Sequence, residues 1–229
     1  MNDSLDHGGI ASVIFDFSGT LFRLEQRENW TPPGVSAKDA ERLMQWLTAP
    51  IEPPVPLDPE HLHAWKHRDL DPALHRAVYD EILNRWKTLN GVDVRSTFDI
   101  LTDPLRWTPY PDTGVVLEKL STSGIRIAVL SNIAFDIRPA FETRGWDRWI
   151  DEFVLSYEVG AAKPDPTIFL EAVKRLDGRP DRTLMVGDSP QADSAATHIG
   201  CTVALVTPSP TAIRHDALLQ ALREYSLPV

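Results

Sequence analysis

Ser12-Val13-Ile14-Phe15-Asp16-Phe17-Ser18-Gly19-Thr20 is the stretch from which the fold can be read. A short, mainly apolar run leads straight into a polar, glycine-containing turn. Apolar side chains at consecutive positions leave no face for water, which suits a strand buried on both sides of a parallel sheet. Three further runs repeat the pattern downstream, at residues 125–130, 183–186 and 201–206, each ending in small or polar residues. Helix-like stretches accompany them at 113–122, 137–143, 166–176 and 192–198. Alternating strand and helix predicts an α/β fold, a Rossmann-like doubly wound parallel sheet.

The interval 24–108 breaks this alternation. It carries helix-like patterns at 37–47 and 72–89, separated by the proline-rich stretch Pro50-Ile51-Glu52-Pro53-Pro54-Val55-Pro56. Leu74, Val78, Ile82, Trp86 and Leu89 recur at spacings of three and four, giving one apolar helix face. No strong strand signal occurs there, and five of the seven tryptophans (30, 46, 65, 86 and 107) fall inside it. The expectation is an inserted helical cap at 24–108, over a core made from 1–23 and 109–229. The tryptophans are expected to pack in its interior. His63 and His67 stand four apart without an evident third ligand, so a solvated helix face is expected rather than a metal site.

Composition narrows the function. The 229 residues are 42% hydrophobic and 24% charged, as in an ordinary globular protein, and suit one domain with a large insertion. A formal charge of −10 argues against nucleic acid and anionic membrane as partners, both of which select basic patches. Cys201 is the only cysteine, so no internal disulfide is expected and a reducing compartment, the cytoplasm, fits best. The opening Met1-Asn2-Asp3-Ser4-Leu5-Asp6-His7-Gly8-Gly9 lacks a basic segment and a following apolar run, so neither a secretory signal nor a membrane anchor is expected.

Ligands of an open parallel sheet bind beyond the carboxyl ends of its strands. The runs deliver reactive groups there: Asp16 after the first, Ser131 and Asn132 after the second, Asp188 after the third with Asp193 five residues on. Lys163 lies between, in Gly160-Ala161-Ala162-Lys163-Pro164-Asp165-Pro166. Three carboxylates, a hydroxyl and an ammonium thus converge on one crevice. Carboxylate sites that also admit phosphate commonly hold Mg²⁺. An aspartate there can act as a nucleophile, with lysine and metal stabilising charge on a phosphoryl group in transfer.

In order and spacing these residues resemble the haloacid dehalogenase-like hydrolase superfamily, with a helical cap of its first type. The resemblance covers the first strand region and residues from about 111 to 206. It implies Asp16 as nucleophile, Thr20 as the motif-one threonine, Ser131 as the phosphate-binding hydroxyl, Lys163 as the motif-three lysine, and Asp188 with Asp193 as the acidic pair. It also implies Mg²⁺ held by Asp16, the Ser18 carbonyl, Asp188 and Asp193, with Asn132 beside the substrate.

One position departs from the pattern. Phosphatases of the family carry a second aspartate two residues after the nucleophile, which protonates the leaving oxygen and then activates water. Here that residue is Ser18, whose hydroxyl cannot serve as an acid–base group near neutral pH, a loss of about 10²–10⁴ in rate. The expected protein is therefore a Mg²⁺-dependent phosphatase, slow unless another group supplies the proton, that acts on a small phosphorylated metabolite through an aspartyl-phosphate. A dehalogenase- or phosphonatase-type hydrolase, or a non-catalytic binding or regulatory relative, is the alternative. A monomer or homodimer is expected.

Overall fold

The computed structural model describes residues 9–25, 31–48 and 52–229. Trp30, Pro50, Ile51 and residues 1–8, all used above, lie outside the described residues. Among the described residues seven strands form two sheets. In chain order they are β1 (Ser12–Phe15), β2 (Phe22–Leu24), β3 (Trp107–Pro109), β4 (Arg126–Ser131), β5 (Glu152–Leu155), β6 (Thr183–Gly187) and β7 (Thr202–Leu205). The main sheet is parallel with order β5-β4-β1-β6-β7. Phe15, the last residue of β1, pairs with Val129 on one side and Val186 on the other. The loops after β1, β4 and β6 therefore emerge side by side at one end of the sheet, where the order changes direction.

Both faces of the central strands are buried, as the unbroken apolar runs demand. Val13, Phe15, Ile127, Val129, Leu184 and Val186 enter one core. Ile14, Ala128, Leu130 and Met185, the alternate positions, enter the other. Helices α1 (Ala37–Leu47), α2 (Pro59–His67), α3 (Pro72–Asn90) and α4 (Thr97–Thr102) come between β2 and β3. They are followed by α5 (Thr113–Thr122), α6 (Arg138–Glu142), α7 (Ser156–Val159), α8 (Pro166–Arg175) and α9 (Ala217–Glu224). Residues of α5, α6 and α9 cover the first face, and those of α8 the second. Helices α2, α3 and α8 share one start signal: Asp58, Asp71 and Asp165 each accept a backbone N–H of the first turn, and each precedes a proline whose missing N–H costs nothing there.

The sheet strands match their sequence expectation to within a residue or two at each end. The differences are informative. Residues 193–199 wind as a 3₁₀ helix rather than an α-helix; the small Ala195 and Ala196 let this tighter turn lie close against the sheet. Strand β5 went unpredicted, because Glu152-Phe153-Val154-Leu155 is a short edge strand with only half its residues fully buried. A lateral tie fixes it: Asp151 accepts a hydrogen bond from Ile127 N at 2.7 Å and pairs with Arg126 at 2.6 Å.

The two places where the chain enters and leaves the helical interval pair as an antiparallel ribbon, with Phe22 opposite Pro109 and Leu24 opposite Trp107. Strands of three residues give no sequence signal of their own. The ribbon is held by aromatic packing, with Phe17 stacked on Phe22 at 4.9 Å and tilted against Trp107 at 5.2 Å. Within the interval, Val78, Ile82 and Trp86 are buried as expected, and Trp46 meets Trp86 edge-on at 5.0 Å. Leu89 departs from that face and is 69% exposed, since Gly91 ends the helix in a left-handed cap immediately beyond it. No helix among the described residues is long and apolar enough to cross a membrane.

Candidate active site

The backbone of Asp16 continues the sheet past β1, its amide donating to Val186 O at 2.9 Å. Its carboxylate is thereby mounted on the rigid centre of the sheet. The next two residues divide: Phe17 is buried in the aromatic cluster, and Ser18 is the one exposed residue between 12 and 22. Gly19 then takes a left-handed conformation (φ 80°), and a β-carbon there would overlap the Asp188 carboxylate. Only glycine meets both demands. Gly19→Ala is accordingly expected to lower stability by about 1–3 kcal/mol and to displace Asp188; thermal melts with and without Mg²⁺ check both effects.

Lys163 is buried, and its Nζ donates to Asp16 Oδ1 and Asp193 Oδ1, each at 2.6 Å. Its backbone is clamped by Asn132, whose Oδ1 accepts from Lys163 N at 2.7 Å while Nδ2 donates to Lys163 O at 2.8 Å. Asn132, expected beside the substrate, engages the lysine loop with its amide and so positions Lys163. The second Asp193 oxygen accepts from Ser189 N at 2.9 Å. Gly187 makes this possible, because a β-carbon there would overlap the Asp193 carboxylate.

One oxygen each from Asp16, Asp188 and Asp193 lies within 4.8 Å of the others. Three carboxylates facing one ammonium leave an excess of two negative charges, matching a divalent cation. The proton affinities register the excess. Burial first, then repulsion from Asp193 and Asp188, pushes Asp16 up to about 7 against the pull of Lys163. Burial and Asp193 push Asp188 up to about 6. Burial alone would lower Lys163, but the Asp16 and Asp193 charges outweigh it and hold the ammonium above its ordinary range. An oxygen-only set with this charge fits Mg²⁺ rather than a softer metal.

A pH dependence follows from these shifts. Without metal, the folded protein keeps protons on Asp16 and Asp188 that the unfolded chain has released, so stability falls as pH rises from about 4 to about 7. A divalent cation displaces those protons. The rise in melting temperature caused by Mg²⁺ should therefore be small near pH 5 and grow to a plateau above about pH 7. An equal rise at both ends would show that the metal binds elsewhere.

Of the other expected residues, Ser131 ends β4 and is buried beside the Asn132 clamp, and the buried Thr20 hydroxyl has no hydrogen-bond partner among the described residues. Sequence reasoning missed Arg214. Its guanidinium donates to the carbonyls of Gly19 at 2.6 Å and Thr20 at 2.9 Å, lies 3.6 Å over the Tyr110 ring, and lowers the proton affinity of Asp188. The residue braces the nucleophile loop from 195 positions away. No local pattern announces such a contact.

The sequence profile of haloacid dehalogenase-like hydrolases matches residues 10–200. Over 110 residues the chain is 36% identical to a glyceraldehyde 3-phosphate phosphatase of Methanothermobacter thermautotrophicus, covering 47% of this chain and 49% of that protein. Over 112 residues it is also 36% identical to a ribulose-1,5-bisphosphate 5-phosphatase of Halopiger xanaduensis, covering 45% and 47%. The chain thus spans about half the length of these curated relatives. In fold it is similar to an L-2-haloacid dehalogenase of Xanthobacter autotrophicus (TM-score 0.67, 21% identity, 95% of this chain and 84% of that one). It is likewise similar to a phosphatase of Thermococcus onnurineus (TM-score 0.59, 22% identity, 96% and 99%).

Proposed function

The chain belongs to the haloacid dehalogenase-like hydrolases, and from that membership we propose that it is a Mg²⁺-dependent cytoplasmic phosphatase of small phosphorylated metabolites. One observation carries the proposal: three carboxylates share a buried crevice with a single ammonium. A site that strongly anionic repels a phosphate until a divalent cation occupies it. The phosphatases among its relatives support the same substrate class.

On this reading residues 24–108 cap a core of 1–23 and 109–229. Asp16, the Ser18 carbonyl, Asp188 and Asp193 would hold the metal. Bound Mg²⁺ supplies positive charge to the phosphoryl oxygens. Asp16 attacks phosphorus and carries the phosphoryl group as an acyl phosphate until water releases it. Lys163 orients Asp16 and neutralises transferring oxygens, and the Ser131 hydroxyl donates to the phosphoryl group. Asn132 and Arg214 act at one remove, fixing the lysine loop and the nucleophile loop.

The test is a panel of phosphomonoesters assayed for phosphate release with and without Mg²⁺, beside 2-haloacids assayed for halide. Release of phosphate that requires the metal is expected. Halide release without added metal would replace this reading by a dehalogenase. Metal and beryllofluoride binding with no turnover on any substrate would replace it by a binding protein.

A further inference from the structure

Alkyl phosphates need a proton on the departing oxygen, and the exposed Ser18 hydroxyl is too weak an acid to give one. We propose that Asp69, on the loop between α2 and α3, supplies this proton and later takes one from water. The proposal deepens the phosphatase reading and rests on it.

The loop of Asp69 is tied to the catalytic end of the sheet. Its carbonyl accepts a hydrogen bond from Ser156 Oγ at 2.5 Å. The same hydroxyl accepts from Ile133 N at 2.8 Å, and Ile133 directly follows the Ser131–Asn132 pair that flanks Lys163. The Asp69 backbone is thereby fixed at the catalytic end of the sheet, on the helical side, and its carboxylate lies within electrostatic reach of Lys163. Its side chain is 26% accessible, enough to meet a substrate.

The groups that interact electrostatically with Asp69 are Arg68 from its own loop, Tyr79 from α3 and Lys163 from the core. Arg68 stands 3.8 Å from Asp69 Oδ1 and directs itself to Trp65, lying 3.8 Å over its ring and donating to its carbonyl at 2.7 Å. Tyr79 donates to Leu47 O at 3.0 Å. Lys163 is committed to Asp16 and Asp193. Burial dominates these influences and raises the proton affinity of Asp69 above the ordinary carboxylate range, which suits a proton donor. Other perturbed groups on the helical side do not qualify: His75 is enclosed by Tyr79, Phe98 and Phe135, and burial lowers it to about 4.

The two half-reactions balance. In the first, Asp16 forms a bond to phosphorus, the bond to the alkoxide breaks, and the Asp69 proton goes to that oxygen to release an alcohol. In the second, water attacks phosphorus and gives one proton to the Asp69 carboxylate. The bond to Asp16 breaks, inorganic phosphate leaves, and both side chains return to their starting states.

Asp69→Asn and Asp69→Ala should each cut kcat on alkyl phosphates by about 10²–10⁴. On 2,4-dinitrophenyl phosphate, whose leaving group departs without a proton, formation of the acyl phosphate, read as the dinitrophenol burst, should change far less. The basic limb of the wild-type kcat/KM profile on alkyl phosphates should vanish in both variants. Melting curves confirm that each is folded. Equal loss on both substrate types, or no loss on alkyl phosphates, overturns Asp69 while the phosphatase reading stands. No metal-dependent phosphate release from the wild type overturns both.

Discussion

Asp16→Asn should remove phosphate release almost entirely, by about 10⁴-fold or more, as loss of a covalent nucleophile does in other enzymes. An amide is nearly isosteric with the carboxylate but presents no anionic oxygen to phosphorus. The substitution should leave the fold intact. Ionised Asp16 is unfavourable in the metal-free protein, since burial and the neighbouring carboxylates raise it to about 7. Its neutral amide therefore relieves repulsion, while Lys163 keeps Asp193 as a partner at 2.6 Å. The metal-free variant should melt close to the wild type and lose most of the Mg²⁺-induced rise. That pairing separates lost chemistry from lost structure. Activity persisting in a folded Asp16→Asn protein would mean that the attacking group is another residue.

The sheet and most of its reactive ends were legible because burial on both faces forces consecutive apolar residues, and a strand that stops at a functional loop stops in polar ones. Asp16 and Asp188 announced themselves in that way, Asp193 by its spacing from Asp188 and Lys163 by its small and proline-rich flanks, and the structure brings them together. Their arrangement could be counted from sequence but not their pairing. That Lys163 bridges Asp16 and Asp193 depends on a loop held by Asn132, and the two hydrogen bonds of that clamp span 31 residues. Arg214 was invisible for the same reason in stronger form. Its partners are backbone carbonyls, which carry no side-chain identity for a pattern to detect. Gly19 reads only as part of a polar turn, and the packing alone shows that it and Gly187 each make room for a particular carboxylate. The ribbon of β2 and β3 escaped because pairing, not composition, defines strands of three residues. Local chemistry was readable, in short, wherever a side chain acts on its own loop, and unreadable wherever it acts across the fold.

Ser18→Asp tests where the proton comes from. Ser18 is exposed two residues after Asp16, so a carboxylate there is not forced into the packed core. Two residues from Asp16 it would feel the charges of the three carboxylates, and repulsion of that kind, which adds to the larger effect of burial in raising Asp16, favours its protonated form. The new residue is thus suited to protonate a leaving alkoxide. How much turnover rises depends on whether that function is already filled. In an Asp69→Asn background the gain on alkyl phosphates should approach the full 10²–10⁴ of a positioned acid–base group. With Asp69 present the gain should be well short of that, because a proton transferred by one carboxylate need not be transferred by another. Groups that share one task are non-additive in this way, and kcat measured on the four proteins of the cycle gives the coupling directly. Equal gains in both backgrounds would show that Ser18 leaves the function vacant in the wild type and that Asp69 has no part in it. A gain confined to the Asp69→Asn protein would show the same chemistry moved from the first loop of the sheet to the helical side of the crevice.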